Sequence, residues 1–567
     1  MTQKKSIRKQ KDITMVLVVI VILFLINFVA SFLFKRFDLT TEKRYTLSES
    51  TKELLKKLDD VVYIKVYLQG DFNPNFTRLK NETKEILDEF RAYSNDNLQY
   101  ELINPLDNPN KEETDKIEKQ LFDKGIMPEQ IVDRSNQKVS ETLIWPGAIV
   151  SYKGKESVWQ IFKRQLSAQS EEQNINISVQ ELEYGLTNSI RKTTLLKKPE
   201  VLFVEGHSEL DTIKGADFMR SLTEYYNVSR VNINHKLYAL KGADAIVIAQ
   251  PDSLFDEKDK FIIDQFIMHG GKALWLIDPI YVNRDTLTTR GYSLGFKNEL
   301  NLDDILFKYG VRLNQVLVQD LQSAQVPVNV GIKKGQPDFK PFPWNYYPLI
   351  LPSANHPIVK NLDLIRTEYI GTLDTVFAKD VKKTILLQTS RYTKTSPTPV
   401  RILAAQVKLK PQESQFKNSF QNVACLLEGS FESNYKNRIT RAILEDSIFD
   451  FKEKSIPTKM IVVTDGDIAK NEFNQSTGMI YPVGYDRYSN QQFANKTFLL
   501  NCMNYLLDDE GLLQLRSREV KLRLLDKKKT ATQVTKWKLT NVGLPLLLII
   551  CFGIIQFYIR KKKYSKS

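Results

Sequence analysis

Cysteine and histidine are scarce in this chain of 567 residues, which has three cysteines and four histidines. Cys551 lies in an apolar segment near the C-terminus, so only Cys425 and Cys502 remain as a possible disulfide pair. A disulfide-rich secreted scaffold is therefore excluded, and the lack of a Cys-x-x-Cys motif excludes dithiol redox chemistry. The histidines show no metal-ligand spacing; they are His207, His235, His269 and His356.

A glycine loop for binding nucleotide phosphates is also missing. Such a loop needs an earlier glycine at fixed spacing, a Gly-Lys pair and then Ser or Thr. The Gly-Lys pairs at 154–155 and 271–272 lack both the earlier glycine and the hydroxyl residue. We therefore predict that the chain does not hydrolyse ATP itself.

Two long apolar segments stand near the ends of the chain. Residues 13–34 carry no charge and are long enough to cross a bilayer, whereas the apolar stretch of a signal peptide is shorter, about 7–15 residues. Residues 542–559 are flanked by Trp537 and end at Tyr558–Ile559, so aromatic side chains lie where a membrane interface is expected. We predict two transmembrane helices, and we expect Asn27 of the first to pack against another helix.

Positive charge is concentrated in the two tails. Residues 1–12 carry a net +4 and residues 560–567 a net +5, out of +14 for the whole chain. The positive-inside rule places both tails in the cytoplasm and the region between the anchors in the periplasm. Little excess charge remains for nucleic-acid binding, which we do not expect. The basic run 516–538 opposes the rule and is expected to contact lipid headgroups or a partner.

The sequence pattern between the two anchors predicts an α/β fold. In residues 37–195, a strand–helix–strand unit followed by antiparallel strands predicts a thioredoxin-like layer. In residues 196–510, alternating strands and helices predict a doubly wound domain, amidotransferase-like or flavodoxin-like, with an insertion at about 280–455. Residues 511–541 form a basic juxtamembrane stretch. At finer scale we predict one helix over 177–192 and another over 213–226.

Candidate binding residues follow the predicted strands of the second domain. Ligands of such folds bind beyond the carboxyl ends of the strands, where the 205–209 loop, Asp278-Pro279 and the 464–467 turn are expected. We single out six residues as ligand or partner contacts: Glu205, His207, Ser208, Glu209, Asp465 and Asp467.

None of these residues forms a recognisable catalytic motif. His207, Ser208 and Glu209 are contiguous, and no Gly-x-Ser-x-Gly turn surrounds the serine, so a catalytic triad is not expected. Asp465 and Asp467 could hold a divalent cation, but a local Asp-Gly turn accounts for the same residues. We predict no cofactor, no metal and no enzymatic activity.

Several segments resemble a known family in order and spacing. They are residues 38–48 (DLTTEKRYTLS), 179–187 (VQELEYGLT), 199–209 (PEVLFVEGHSE) and 515–523 (LRSREVKLR). Across essentially the whole chain the sequence resembles the GldG family of gliding-motility-associated ABC transporter auxiliary proteins. The resemblance implies an inner-membrane complex with an ABC-2 type permease (GldF-like) and a cytoplasmic ATPase (GldA-like). It transfers no catalytic residue to this chain.

The leading hypothesis is a non-enzymatic auxiliary subunit of an ABC-transporter-like complex. Its periplasmic domain would bind a partner or ligand, and its two helices would pack on the permease. Two alternatives remain open. One is a membrane-anchored α/β enzyme, and the other is an envelope scaffold that binds no ligand.

Overall fold

The computed structural model describes residues 14–25, 28, 46–107, 110–133, 140–195, 197–333, 335–438, 450–508, 511–517 and 532–564. Residues 1–13, 26–27, 29–45 and 518–531 are therefore among those outside the described residues, and they include the N-terminal tail, Asn27 and most of the basic run. The chain divides into two units, residues 1–518 and 519–567, and each is described by itself.

The first unit begins its α/β part with a four-stranded sheet in the order β2 (Leu98–Leu102), β1 (Val62–Val66), β5 (Gly147–Tyr152) and β6 (Lys155–Gln160). Strand β2 pairs parallel with β1, as a strand–helix–strand crossover requires, and the β5–β6 hairpin adds antiparallel to the other side of β1. The helices pack on this sheet, and Leu55, Ile64, Phe76, Leu87 and Val150 lie in its core. The elements are α1 (Glu49–Lys56), β1 (Val62–Val66), α2 (Pro74–Tyr93), β2 (Leu98–Leu102), α3 (Lys111–Lys124), β3 (Glu129–Asp133), β4 (Ser140–Ile144), β5 (Gly147–Tyr152), β6 (Lys155–Gln160), α4 (Glu171–Gln180) and α5 (Leu182–Thr194).

Strands and helices then alternate again up to residue 276. The chain forms β7 (Glu200–Glu205), α6 (Ala216–Leu222), β8 (Asn227–Asn232), β9 (Ala245–Ala249), α7 (Glu257–Met268) and β10 (Lys272–Leu276).

A long excursion of mostly short strands follows. It contains β11 (Ile280–Val282), α8 (Arg284–Arg290), β12 (Tyr292–Lys297), α9 (Asp303–Tyr309), β13 (Val311–Asn314), β14 (Val316–Asp320), β15 (Ser323–Lys333), β16 (Gln336–Ile350), β17 (Ile365–Arg366), β18 (Thr372–Thr375), β19 (Val381–Gln388), β20 (Thr393–Pro397), β21 (Val400–Leu403) and β22 (Asn422–Gly429).

The first unit closes with β23 (Thr458–Val463), four two-residue strands between 473 and 492, helix α10 (Asn495–Leu506) and the 3-10 helix Leu512–Ser517.

The central feature of the first unit is a seven-stranded sheet in the order β19-β22-β23-β10-β9-β7-β8. The five strands from β23 to β8 are parallel, and β22 and β19 continue the sheet antiparallel. All five residues of β9 (AIVIA) are buried, as expected for a parallel strand covered on both faces.

Helices cover both faces of this sheet because side chains of successive strand residues point to opposite sides. On one face, Phe218 of α6 and Phe498 of α10 pack with Val247 of β9. On the other, Ile263 of α7 and Ile305 of α9 pack in the cluster that contains Trp275 and Ile246. The core thus lies in two layers, one on each side of the sheet.

Three details differ from the sequence predictions. Strands β19 and β22 fall inside the predicted insertion 280–455, yet they belong to the main sheet, β22 pairing with β23. The predicted helix 177–192 is two helices, α4 and α5, which meet at Glu181. The predicted helix 213–226 is helical only over Ala216–Leu222, because turns occupy both of its ends.

The second unit contains one long helix, α11 (Val534–Tyr564), with Pro545 inside it. Its portion Val534–Lys562 is long and apolar enough, by length and composition, to cross a membrane. In the first unit, Thr14–Leu25 is a shorter apolar helix. Part of the predicted first anchor, 13–34, lies outside the described residues.

Candidate functional site

A crevice of about 430 Å³ opens at the carboxyl edge of the seven-stranded sheet. Its walls come from the loops after β7, β9, β10 and β23, joined by the start of α8; we call it the carboxyl-edge crevice. This is the edge at which parallel α/β sheets bind ligands. Residues of both charge signs line it, among them Asp211, Lys214, Asp278, Arg284, Glu368 and Asp467.

Three aspartates converge at the floor of the crevice. Asp278 follows β10 by two residues, and Asp465 follows β23 by the same distance. Because β10 and β23 are parallel neighbours, these positions meet at one edge, and Asp467 joins them from the next turn. Oxygen atoms of Asp278, Asp465 and Asp467, which we call the aspartate cluster, lie within 4.8 Å of one another.

The surroundings of the three carboxylates differ. Asp278 accepts a hydrogen bond from the backbone amide of Gly466 at 2.6 Å and another from Gln250 Nε2 at 3.1 Å. Asp467 pairs with Arg284 and, at 3.2 Å, with Lys470. Asp465 is fully buried, and neither of its oxygens has a hydrogen-bond partner among the described residues.

These surroundings set the protonation of the cluster. Burial, reinforced by the negative charge of Asp467, raises the pKa of Asp278 to about 7. Burial and the charges of Asp278 and Asp467 raise the pKa of Asp465 well above its usual range. Burial opposes ionisation of Asp467 as well, but Arg284 and Lys470 outweigh it and lower the pKa of that carboxyl. Asp467 is therefore the carboxylate of the cluster that is most readily charged.

Arg284 lies in the wall of the crevice, beside the cluster. Its guanidinium pairs with Asp467 and Glu368, and it lies over the Tyr369 ring at 5.4 Å. Glu368 also forms an ion pair with Arg366, whose Nη2 lies 3.0 Å from Glu368 Oε1. A planar guanidinium that holds two carboxylates from separate elements keeps the excursion in register with the sheet edge.

Of the predicted contact residues, Ser208, Glu209 and Asp467 line the carboxyl-edge crevice. Asp465 lies at the same edge, buried in the cluster. Glu205 forms an ion pair with Arg230. Asn27, predicted to pack on a partner helix, lies outside the described residues.

His207 occupies a buried, structural position. Its ring stacks on Phe255 with centroids 3.6 Å apart. Its Nδ1 lies 3.1 Å from Glu209 and its Nε2 lies 3.2 Å from Asp259. Its backbone carbonyl accepts hydrogen bonds from the backbone amides of Asp252 and Ser253. The imidazole thus joins the loop after β7 to helix α7.

No sequence pattern indicates Arg284, Glu368 or Lys470 as residues of the site. Arg284 and Asp467 are separated by 183 positions in the chain, and the excursion between them shows no periodic pattern that would bring them together. Asp278, like Asp465 and Asp467, had a local signal, because it follows an apolar run and precedes a proline.

Comparison with known proteins places most of this first unit in a family. Residues 198–502 match the model of a family described as an ABC-type uncharacterized transport system, of auxiliary type. Residues 41–151 match a domain of unknown function.

An uncharacterized protein of Borreliella burgdorferi is 23% identical over 98% of this chain and 99% of its own length. Among solved structures, the N-terminal domain of mmIFT52 is similar to 57% of this chain with its whole length, at 12% identity and a TM-score of 0.30. The family match covers more than half of the chain and includes the seven-stranded sheet and its crevice. The protein therefore belongs to the family of auxiliary components of ABC-type transport systems.

Proposed function

We propose that the protein is a non-enzymatic auxiliary subunit of an inner-membrane ABC-transporter complex that serves gliding motility. Its partners would be an ABC-2 type permease (GldF-like) and a cytoplasmic ATPase (GldA-like). The family match and the resemblance of the quoted segments to GldG support this proposal. The missing phosphate-binding loop fits a division of labour in which the partner supplies ATP hydrolysis.

The proposed topology has two anchors and two cytoplasmic tails. Helix α11 provides one span, and residues 13–34 would provide the other. The basic tails support the cytoplasmic placement, and the α/β unit would then lie in the periplasm. Two single helices do not enclose a transport path, so they would pack on the permease.

The periplasmic architecture in this proposal has two parts. The order β2-β1-β5-β6, with its parallel pair and terminal hairpin, supports a thioredoxin-like layer without redox cysteines. The five parallel strands with helices on both faces support a doubly wound, flavodoxin-like or amidotransferase-like domain.

The observation that supports a binding role is the carboxyl-edge crevice, whose lining residues lie within the part of the chain that matches the family model. A second crevice of about 500 Å³ shares lining residues with it, including Lys214, Arg284 and Lys470. Charged side chains of both signs favour a polar ligand or a polar segment of a partner over an apolar one. The ligand would enter where the loops after the strands meet.

A charge-reversal test separates binding from assembly. The double variant K214E/K470E changes two cations of the crevice wall, whereas K236E/K258E reverses two exposed lysines away from it. In a strain that lacks the gene, we expect the control to restore motility and the crevice variant to fail. Both should be recovered with the permease in equal amount. If K214E/K470E restored motility fully, the crevice would have no part in the proposed function.

A further inference from the structure

Asp465 is a fully buried carboxyl group at the carboxyl edge of the sheet. Its relative exposure is 0%, and both of its oxygens lack a hydrogen-bond donor among the described residues. Burying a polar group without a hydrogen-bond partner is unfavourable, and the penalty is larger when the group is ionised. A carboxyl group kept in such a position needs an explanation, and a site for a bound cation supplies one.

The neighbours of Asp465 are oxygens suited to a hard metal ion. One oxygen each of Asp278, Asp465 and Asp467 lies within 4.8 Å of the others, so a single ion can contact all three after small side-chain movements. The donors that hold Asp278 and Asp467 occupy some of their lone pairs, and each carboxylate has about four. Carboxylate oxygens bind Mg²⁺, Ca²⁺ and Mn²⁺ in preference to softer metals.

From this arrangement we propose that the aspartate cluster binds one divalent cation of the Mg²⁺, Mn²⁺ or Ca²⁺ class. The two strand ends and the turn after β23 deliver the ligands, so the site is preformed by the sheet. The flanking cations Arg284 and Lys470 contact Asp467 from the crevice side and hold it in place.

The position of the cluster gives the ion a role beyond stability. Asp278 and Asp467 line the carboxyl-edge crevice, and Asp465 lies buried against them. The three protein ligands leave open coordination positions, which would face the crevice and take water or an oxygen atom of a ligand. This inference does not depend on the transporter role, because ion binding is measured on the protein alone.

The test uses the full chain, purified in mild detergent and treated with EDTA. Mn²⁺ is titrated, and the free ion is followed by its electron paramagnetic resonance signal. We expect one saturable site per chain, from which Mg²⁺ or Ca²⁺ displaces Mn²⁺. D465N keeps the shape of the side chain but removes its charge, and we expect it to weaken binding at least about tenfold.

Two further variants keep the test decisive. D278N removes a second ligand, and we expect the same loss of Mn²⁺ affinity. This variant replaces D465N in the test if D465N does not fold. D252N removes an exposed carboxylate from the wall of the same crevice and should bind Mn²⁺ as the unchanged chain does. Absence of a saturable site in the unchanged chain, or unchanged affinity in both D465N and D278N, would overturn the proposal.

Discussion

Arg516 and Glu181 form a buried ion pair, with Arg516 Nη2 2.9 Å from Glu181 Oε1 and side-chain exposures of 2% and 4%. Glu181 stands where α4 meets α5, and Arg516 belongs to the 3-10 helix Leu512–Ser517. The stretch 511–541 was predicted to be a basic juxtamembrane segment. Its first residues instead fold against the N-terminal α/β layer, and Leu512 and Leu513 are buried with Arg516.

Replacing Arg516 by methionine is expected to destabilise the first unit by about 3–5 kcal/mol, since it leaves Glu181 buried with one cation fewer. Denaturant unfolding of the full chain in detergent, followed by tryptophan fluorescence, measures the change. E156Q breaks the exposed Lys124–Glu156 pair and serves as the control, with an expected cost of about 0–1 kcal/mol. Equal costs for the two variants would contradict a structural role for the buried pair.

The same pair predicts a dependence of stability on pH. Burial opposes ionisation of Glu181, but Lys163 and Arg516 outweigh it and lower the pKa of the carboxyl. A group with a lowered folded pKa stabilises the protein above its unfolded pKa, about 4.3, and this contribution is lost as pH falls below that value. In E181Q the loss of stability between about pH 5 and pH 3 should be smaller than in the unchanged chain. Parallel pH profiles would show that the pair contributes nothing.

Gly466 is expected to be intolerant of a side chain. A Cβ at this position would lie 2.8 Å from Gln250 Cα, and the Gly466 amide donates to Asp278. G466A should cost about 1–3 kcal/mol through overpacking and should displace the Asp278 carboxylate. Thermal unfolding measures the first effect and Mn²⁺ affinity the second. If G466A is as stable as the unchanged chain and binds Mn²⁺ equally, the close approach at the cluster is not a constraint.

The proposed two-anchor topology predicts how truncated chains partition between the membrane and the soluble fraction. Removal of residues 532–567 should leave the chain in the membrane after alkaline carbonate extraction, because residues 13–34 would still hold it. Removal of 1–34 as well should release it to the soluble fraction. If the chain that lacks residues 532–567 were released to the soluble fraction, α11 would be the sole anchor.

Cysteine labelling tests the orientation of the same anchors. Cys425 and Cys502 are buried, which gives a low background for labelling of the folded domain by a membrane-impermeant maleimide. In intact cells with a permeabilised outer membrane, K119C should react and S567C should not. Reaction of S567C alone would place the α/β unit in the cytoplasm.

The parts of the fold that were predictable from the sequence have a local signal. Runs such as Val201–Val204 and Ala245–Ala249 are uniformly apolar because both faces of a parallel strand are covered. Strand β19 carries Lys382 and Lys383 and pairs with β22 at the edge of the sheet, so its sequence did not indicate membership of the main sheet.

The candidate site was predictable only in outline. The rule that loops after parallel strands form a binding edge located Asp278, Asp465 and Asp467. Which side chains meet there depends on contacts between distant residues, such as Arg284 with Asp467 and Glu368. The burial of Arg516 had no local signal either, since it belongs to a basic run that also contains Arg518, Lys521 and Arg523.

The proposed function requires this chain to be a subunit of a larger transporter. The most direct measurement is affinity purification of the full tagged chain from the membranes of its own host in a mild detergent, followed by mass spectrometry of the purified sample. We expect a polytopic permease and an ATPase in near-stoichiometric amounts, and we expect both to be lost when α11 is replaced by an unrelated apolar helix of the same length. Recovery of the chain alone under these conditions would contradict it.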